Sequence, residues 1–166
     1  MRAAEIEIVG RLVESSNNAL LARLRHADAA ALAWRPGADS PLAGLEPGVY
    51  AIWKPTAGER PLFDFPIGTL TRREVAAYAV SEELGWRIVP PTVLRDGPYG
   101  DGMLQRWVEV DPTVDVVALL DADDPRLRRV ALFDAIVNNT DRKGGHLLPV
   151  PGGHLHAVDH GVTFSI

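Results

Sequence analysis

At 166 residues, with 46% hydrophobic and 23% charged side chains, the chain has the size and composition of one globular domain, or one domain in two lobes. Its 17 basic and 22 acidic residues leave a net charge of −5, which disfavours nucleic acid and anionic membrane as partners. The absence of cysteine excludes disulfides and thiolate chemistry, and without an apolar run of roughly 18–20 residues or a signal-peptide core the sequence predicts a soluble, cytoplasmic protein with no membrane insertion.

In chain order, "EIEIVGRLV" from Glu5 alternates polar and apolar positions and predicts a half-buried strand. "ESSNN" is turn chemistry, and "ALLARLR" from Ala19 resumes as a strand or short helix. After the alanine-rich "HADAAALAW" comes a loop dense in proline and glycine, "RPGADSPLAGLEPG". "VYAIWK" is the clearest strand of the first half and is ended by Pro55; Ala51 and Trp53 share one of its faces, Ile52 and Lys54 the other. "TAGERPLFDFPIGTL" is a long irregular connection whose aromatic residues predict that it packs.

From Thr71 the period lengthens. "TRREVAAYAVSEELG" predicts a helix that turns Val75, Tyr78 or Ala79, and Glu82 or Leu84 inward, with Gly85 as its stop. "RIVPPTVLRD" and "GMLQRWVEV" read as strands joined by the hairpin turn "GPYGDG". A second helix runs from Pro125 to Asn138, with Leu127, Val130, Leu132, Phe133, Ile136 and Val137 as a broad apolar face. "HLLPV", the turn "PGG" and "HLHAV" form a compact hairpin. The fold class is α+β: a mainly antiparallel sheet carrying one helix, followed by a helix-plus-hairpin unit.

Several polar residues then ask for a role. Lys54 at a strand end is ordinarily a solvated edge residue, but a fixed ammonium there also binds phosphate oxygens. Glu74 lies three residues after Thr71, a capping-box spacing, so returning to the Thr71 N–H is its first reading and orienting Lys54 its second. Ser15 and Ser16 sit in a turn between two strands, where hydroxyls and backbone N–H groups meet phosphates. Asp141 and Asp159 flank the last hairpin and return to the same end of it, within reach of a shared cation; Mg²⁺ takes one or two carboxylates plus substrate phosphates. Four of the five histidines fall between His146 and His160. "HLHAVDH" approaches the H-x-H-x-D-H pattern of zinc hydrolases but has one residue too many before the aspartate, so a zinc-dependent hydrolase is a third reading and His154 and His156 are expected as exposed hairpin residues.

Taken in order, the stretches "SSNNALL", "ERPLFDFPIGTLTRREVAAY", "GWRIVPPTVLRDGPYGDGMLQ" and "NTDRKGGH" followed by "VDHG" resemble the atypical branch of the protein-kinase-like fold. This is the phosphatidylinositol 3-/4-kinase-like superfamily, and the wording is most similar to an actinobacterial group of uncharacterised phosphatidylinositol-kinase-like proteins. The resemblance implies a two-lobed fold: an N-lobe over residues 1–104 with an antiparallel sheet and one helix, a hinge over 105–110, and a short C-lobe over 111–166. It implies ATP with Mg²⁺ or Mn²⁺ as cofactors and an unknown hydroxyl-bearing substrate. Ser15, Ser16 and Asn17 would cover the phosphates. Lys54 would bind them, oriented by Glu74. Backbone groups of Gln105, Arg106, Trp107 and Val108 would meet the adenine edge. Asp141 would be the catalytic base, Arg142 would brace its loop against Asp134, and Asp159 would hold the metal.

Two departures from that pattern matter. His146 stands five residues after Asp141, where relatives commonly carry a metal-binding asparagine; imidazole suits Mn²⁺ and later metals better than Mg²⁺. The sequence also stops soon after Asp159, on the apolar Phe164 and Ile166, so the expectation is a naturally minimal C-lobe, a further C-terminal segment or a partner chain that covers that end. The expected activity is an ATP-dependent phosphotransferase acting on a soluble small molecule or a protein, by phosphoryl or adenylyl transfer. A nucleotide-binding pseudokinase or regulatory module is the alternative.

Overall fold

The computed structural model describes residues 4–12, 18–25 and 36–165. Five strands, β1 (Glu5–Arg11), β2 (Leu20–Arg25), β3 (Val49–Pro55), β4 (Thr92–Gly97) and β5 (Gly100–Arg106), form one sheet in the order β1-β2-β3-β5-β4. All four pairings are antiparallel. Helix α1 (Leu70–Glu83) joins β3 to β4, so the chain leaves the sheet at Lys54–Pro55 and re-enters at its far edge. Two further helices, α2 (Val116–Asp121) and α3 (Pro125–Val137), precede a hairpin of β6 (Leu147–Pro149) and β7 (Leu155–Ala157). The fold is α+β with a mainly antiparallel sheet, as the periodicities predict. Among the described residues no helix is long and apolar enough to cross a membrane.

Strand alternation sorts the sheet into two faces. Ala22, Ala51, Trp53 and Leu104 form one apolar cluster with Ile6, while Leu21, Leu42 and Tyr50 pack on the opposite side with Ile52. Lys54 therefore belongs to the Tyr50–Ile52 side, which is the side the sequence assigns it. Two glycines make room for the Trp53 ring and for close strand approach. A Cβ on Gly97 would sit 2.6 Å from the ring, and one on Gly102 would sit 2.5 Å from the Lys54 backbone oxygen.

The third core joins Ala77 of α1, Ile88 and Val89, Leu119 of α2, Val130, Phe133 and Val137 of α3, and Leu147, Leu155 and Ala157 of the hairpin. Helix α2 was not expected; Asp115 caps it by accepting from the Val117 N–H. The predicted strand "RIVPPTVLRD" shortens to Thr92–Gly97 because Pro90 and Pro91 have no N–H to give a ladder.

Two predicted helix faces need correction. The buried residues of α1 are Leu70, Thr71, Glu74, Ala77 and Ser81, whereas Val75 and Tyr78 are half-buried and Glu82 and Leu84 exposed. That stripe is small and polar because its partners are polar: Ser81 Oγ accepts from the Val89 N–H at 3.1 Å, and Glu74 meets a lysine. On α3, Val130, Phe133 and Val137 are buried as expected, but Leu132 and Ile136 are 54% and 48% exposed. Their spacing puts them on the outer side of the helix.

Candidate functional site

Lys54 ends β3 pointing across to α1, and its side chain is 14% exposed. Its ammonium donates to Glu74 Oε1 at 2.8 Å and to Asp159 Oδ1 at 3.1 Å. Burial works against the charged form, but the two carboxylates outweigh it and hold the Lys54 pKa above its ordinary value. Burial likewise pushes the Asp159 carboxyl up, and Lys54 reverses this to leave it below the usual carboxylate range. Lys54 and Asp159 are thus both charged at neutral pH.

Glu74 does not close a capping box. The helix begins at Leu70, so Thr71 already lies inside it, and the Thr69 hydroxyl donates to the Pro66 oxygen instead. Glu59, from the preceding connection, takes the capping role and accepts from the Leu70 and Thr71 N–H groups at 3.2 and 2.8 Å. This frees Glu74 for Lys54 with one oxygen and for the His160 backbone N–H, at 2.9 Å, with the other. A buried ammonium is a stronger claim on a carboxylate than a helix N–H is.

The loop after α3 carries the second group of residues. Asn138 caps the helix in the left-handed conformation, and Asn139 turns back to Asp134. Arg142 forks onto both Asp134 oxygens, at 2.9 and 2.8 Å, so the brace implied for it is in place. The same guanidinium donates to the Val158 oxygen at 2.6 Å and lies 2.7 Å from His160 Nε2. Asp141 is half exposed and accepts from Lys143 Nζ at 2.9 Å. Lys143 is a residue the sequence reading passed over; its position two residues from Asp141 is the signal that would have found it. The charge of Asp159 also acts on Lys143, and that of Asp141 on His146, so the two acids share one electrostatic neighbourhood.

His146 Nε2 stands 3.5 Å from Asp159 Oδ2. Burial pushes its pKa down against the pull of that carboxylate, which favours the neutral ring a metal ion requires. Asp159 and His146 offer two ligands, and no group of three or more His, Asp or Glu able to hold a metal exists among the described residues. Two protein ligands suit an ion whose remaining positions go to phosphate and water. His160 is wholly buried, and burial together with Arg142 lowers its pKa to about 3. His154 and His156 are not free hairpin residues: both are half-buried, and their rings bond the backbone oxygens of Arg87 and Ile88.

The remaining expected residues are distributed differently. Ser15, Ser16 and Asn17 lie outside the described residues. Asn18, next to them, borders an open cleft of ≈ 270 Å³ with Lys54, Glu59, Thr71, Glu74 and Gly161. Asp141, His146 and Asp159 do not line that cleft. In the segment expected to meet adenine, Gln105 is buried and its side chain donates to Thr92. The Arg106 and Trp107 N–H groups donate to the Pro91 and Tyr50 oxygens and are engaged within the fold, and Gln105 is paired in the sheet with both Ile52 and Thr92.

Fold and site together define an α+β domain in which a strand lysine, a helix glutamate and a loop aspartate from three distant parts of the chain converge. No protein-family model matches the chain. Protein Rv2133c of Mycobacterium tuberculosis (strain ATCC 25618 / H37Rv) is 42% identical to it, over 71% of this chain and 55% of the relative. The chain thus spans about half the length of the curated relative it matches.

Proposed function

We propose that the chain is an ATP-dependent phosphotransferase with a protein-kinase-like architecture of the phosphatidylinositol 3-/4-kinase-like type, acting on a hydroxyl of a soluble small molecule or a protein. The observation that carries this reading is the bridge of Lys54 to Glu74 at 2.8 Å and to Asp159 at 3.1 Å. Residues 54, 74 and 159 come from well-separated parts of the chain, and the resemblance expects Glu74 to orient Lys54 and Asp159 to hold the metal beside it. The five-stranded sheet with α1 serves as the N-lobe; α2, α3 and the β6–β7 hairpin serve as a short C-lobe.

Phosphoryl transfer needs positioning and charge neutralisation more than covalent chemistry. Lys54 binds phosphate oxygens as a point charge, and Asp159 with His146 holds the divalent ion that neutralises them. Asp141 orients the acceptor hydroxyl and takes its proton. Lys143, beside Asp141, adds positive charge where the transferred group passes. Adenylyl transfer uses the same groups on the α-phosphate.

Turnover of ATP labelled in the γ position, with unlabelled acceptor mixtures and Asp141→Asn as control, is the direct test. Label transferred by the wild-type chain and lost in the variant supports the reading; parallel α-labelled ATP separates adenylyl from phosphoryl transfer. The alternative, a nucleotide-binding module without turnover, draws on Asp141 being held by Lys143 and on the imidazole at position 146. Metal-dependent ATP binding with no transfer of either label would select it.

A further inference from the structure

Asp159 has φ = 62°, in the left-handed region, which aspartate enters more readily than most side chains but at a cost that glycine does not bear. Such a conformation persists only where the surroundings impose it. Here both flanking residues are tied down. The Val158 N–H donates to the His146 oxygen at 3.0 Å, and its own oxygen accepts from Arg142. On the other side, the His160 N–H donates to Glu74, its oxygen accepts from the Thr163 hydroxyl at 2.7 Å, and its ring meets Arg142 at Nε2.

The ring contact fixes the chemistry of His160. A guanidinium can only donate, so Nε2 carries the lone pair and the proton sits on Nδ1. Phe133 holds the ring in that orientation edge-on, with centroids 5.5 Å apart. Nδ1 is buried and has no hydrogen-bond partner, a penalty that a leucine in the same place would not incur. What a leucine would lack is the acceptor at Nε2.

We propose that His160 is a positioning residue: through Arg142 it forms a clamp on both sides of Asp159 that keeps that backbone left-handed and aims its carboxylate at Lys54 and His146. The clamp stands on geometry alone. Its consequence for metal binding rests on the phosphotransferase reading.

Three measurements test it. Ring nitrogen resonances of the wild-type protein at neutral pH should show Nδ1 protonated and Nε2 bare; a proton on Nε2 overturns the clamp. In crystal structures, His160→Leu should release Asp159 from the left-handed region, while His160→Gln, whose amide oxygen reaches the Nε2 position, should retain it. A folded His160→Leu protein with Asp159 still left-handed and still on Lys54 overturns the proposal. Should the leucine variant not fold, the nitrogen resonances and the glutamine variant decide. Finally, affinity for Mn²⁺ with ATP should fall about 10–100-fold in His160→Leu and largely return in His160→Gln. If the wild-type chain binds no Mn²⁺ with ATP, the nucleotide reading falls while the first two measurements still judge the clamp.

Discussion

Lys54 is bonded to two carboxylates at once, and its removal therefore has a sign that can be stated. Glu74 is 2% exposed, so Lys54→Met leaves its carboxyl group buried and held by one backbone N–H only. Breaking such a pair destabilises by about 3–5 kcal/mol. Adding Glu74→Gln to Lys54→Met should recover part of that loss, because an amide costs less to bury without its partner than a carboxylate does. Urea unfolding of the two single variants and the double variant checks this; strict additivity would show that the pair is not coupled. His160 gives a prediction in pH. Its folded pKa of about 3 lies below the roughly 6.5 of a free imidazole, so between those values the unfolded chain binds more protons. Its contribution is present above about pH 6.5 and is lost as pH falls toward 3, at up to roughly 1.4 kcal/mol per unit. His146 and His156, lowered by burial, add to the same slope. Asp159 adds a further loss at lower pH, as protonation of its carboxyl sets in below the ordinary aspartate range. Stability measured from pH 7 to 4 should therefore decline, and His160→Gln should flatten part of the decline. An unchanged slope would remove His160 from this account.

At the scale of elements, the strand faces were more legible than the helix faces, for one physical reason. A strand's two faces follow from alternation alone, and β3 places Trp53 in the core and Lys54 opposite it as read from the sequence. A helix face depends on what lies across from it. The inner stripe of α1 carries Glu74 and Ser81 because Lys54 and the Val89 N–H wait there, and no local pattern announces that. The capping box misled for the same reason: the true cap, Glu59, precedes the helix by eleven residues and reaches back across a loop. Position 102 tests how tightly the sheet is built behind the site. A Cβ on Gly102 would meet the Lys54 oxygen at 2.5 Å and the Pro55 Cα at 2.8 Å, and both are backbone. Gly102→Ala must therefore separate β3 from β5 and should cost about 1–3 kcal/mol. Gly10→Ala, where nothing lies within 4 Å, is the matched control. Thermal melts of the two should differ clearly; equal melts would mean that the β3–β5 contact yields without penalty.

The molecule joins a sheet carrying α1 to a helix-and-hairpin unit that packs against α1, and the site stitches them together. Lys54 comes from the sheet, Asp159 and His146 from the hairpin's end, so a ligand bound by all three should stabilise the molecule as one body. A ligand at a hundred times its Kd adds about 2.7 kcal/mol. For a chain of this size each kcal/mol moves the melting temperature by about 2–4 °C, so a rise of roughly 5–10 °C is expected with ATP and a suitable ion. The choice of ion follows from the imidazole at position 146. A carboxylate with an imidazole is a better donor pair for Mn²⁺ than for Mg²⁺, which prefers oxygen. Mn²⁺ with ATP should therefore raise the melting temperature at least as far as Mg²⁺ with ATP, and His146→Asn should move the preference toward Mg²⁺. A wild-type preference for Mg²⁺ that His146→Asn leaves untouched would remove position 146 from the coordination sphere, and Asp159 would then hold the ion with phosphate and water alone.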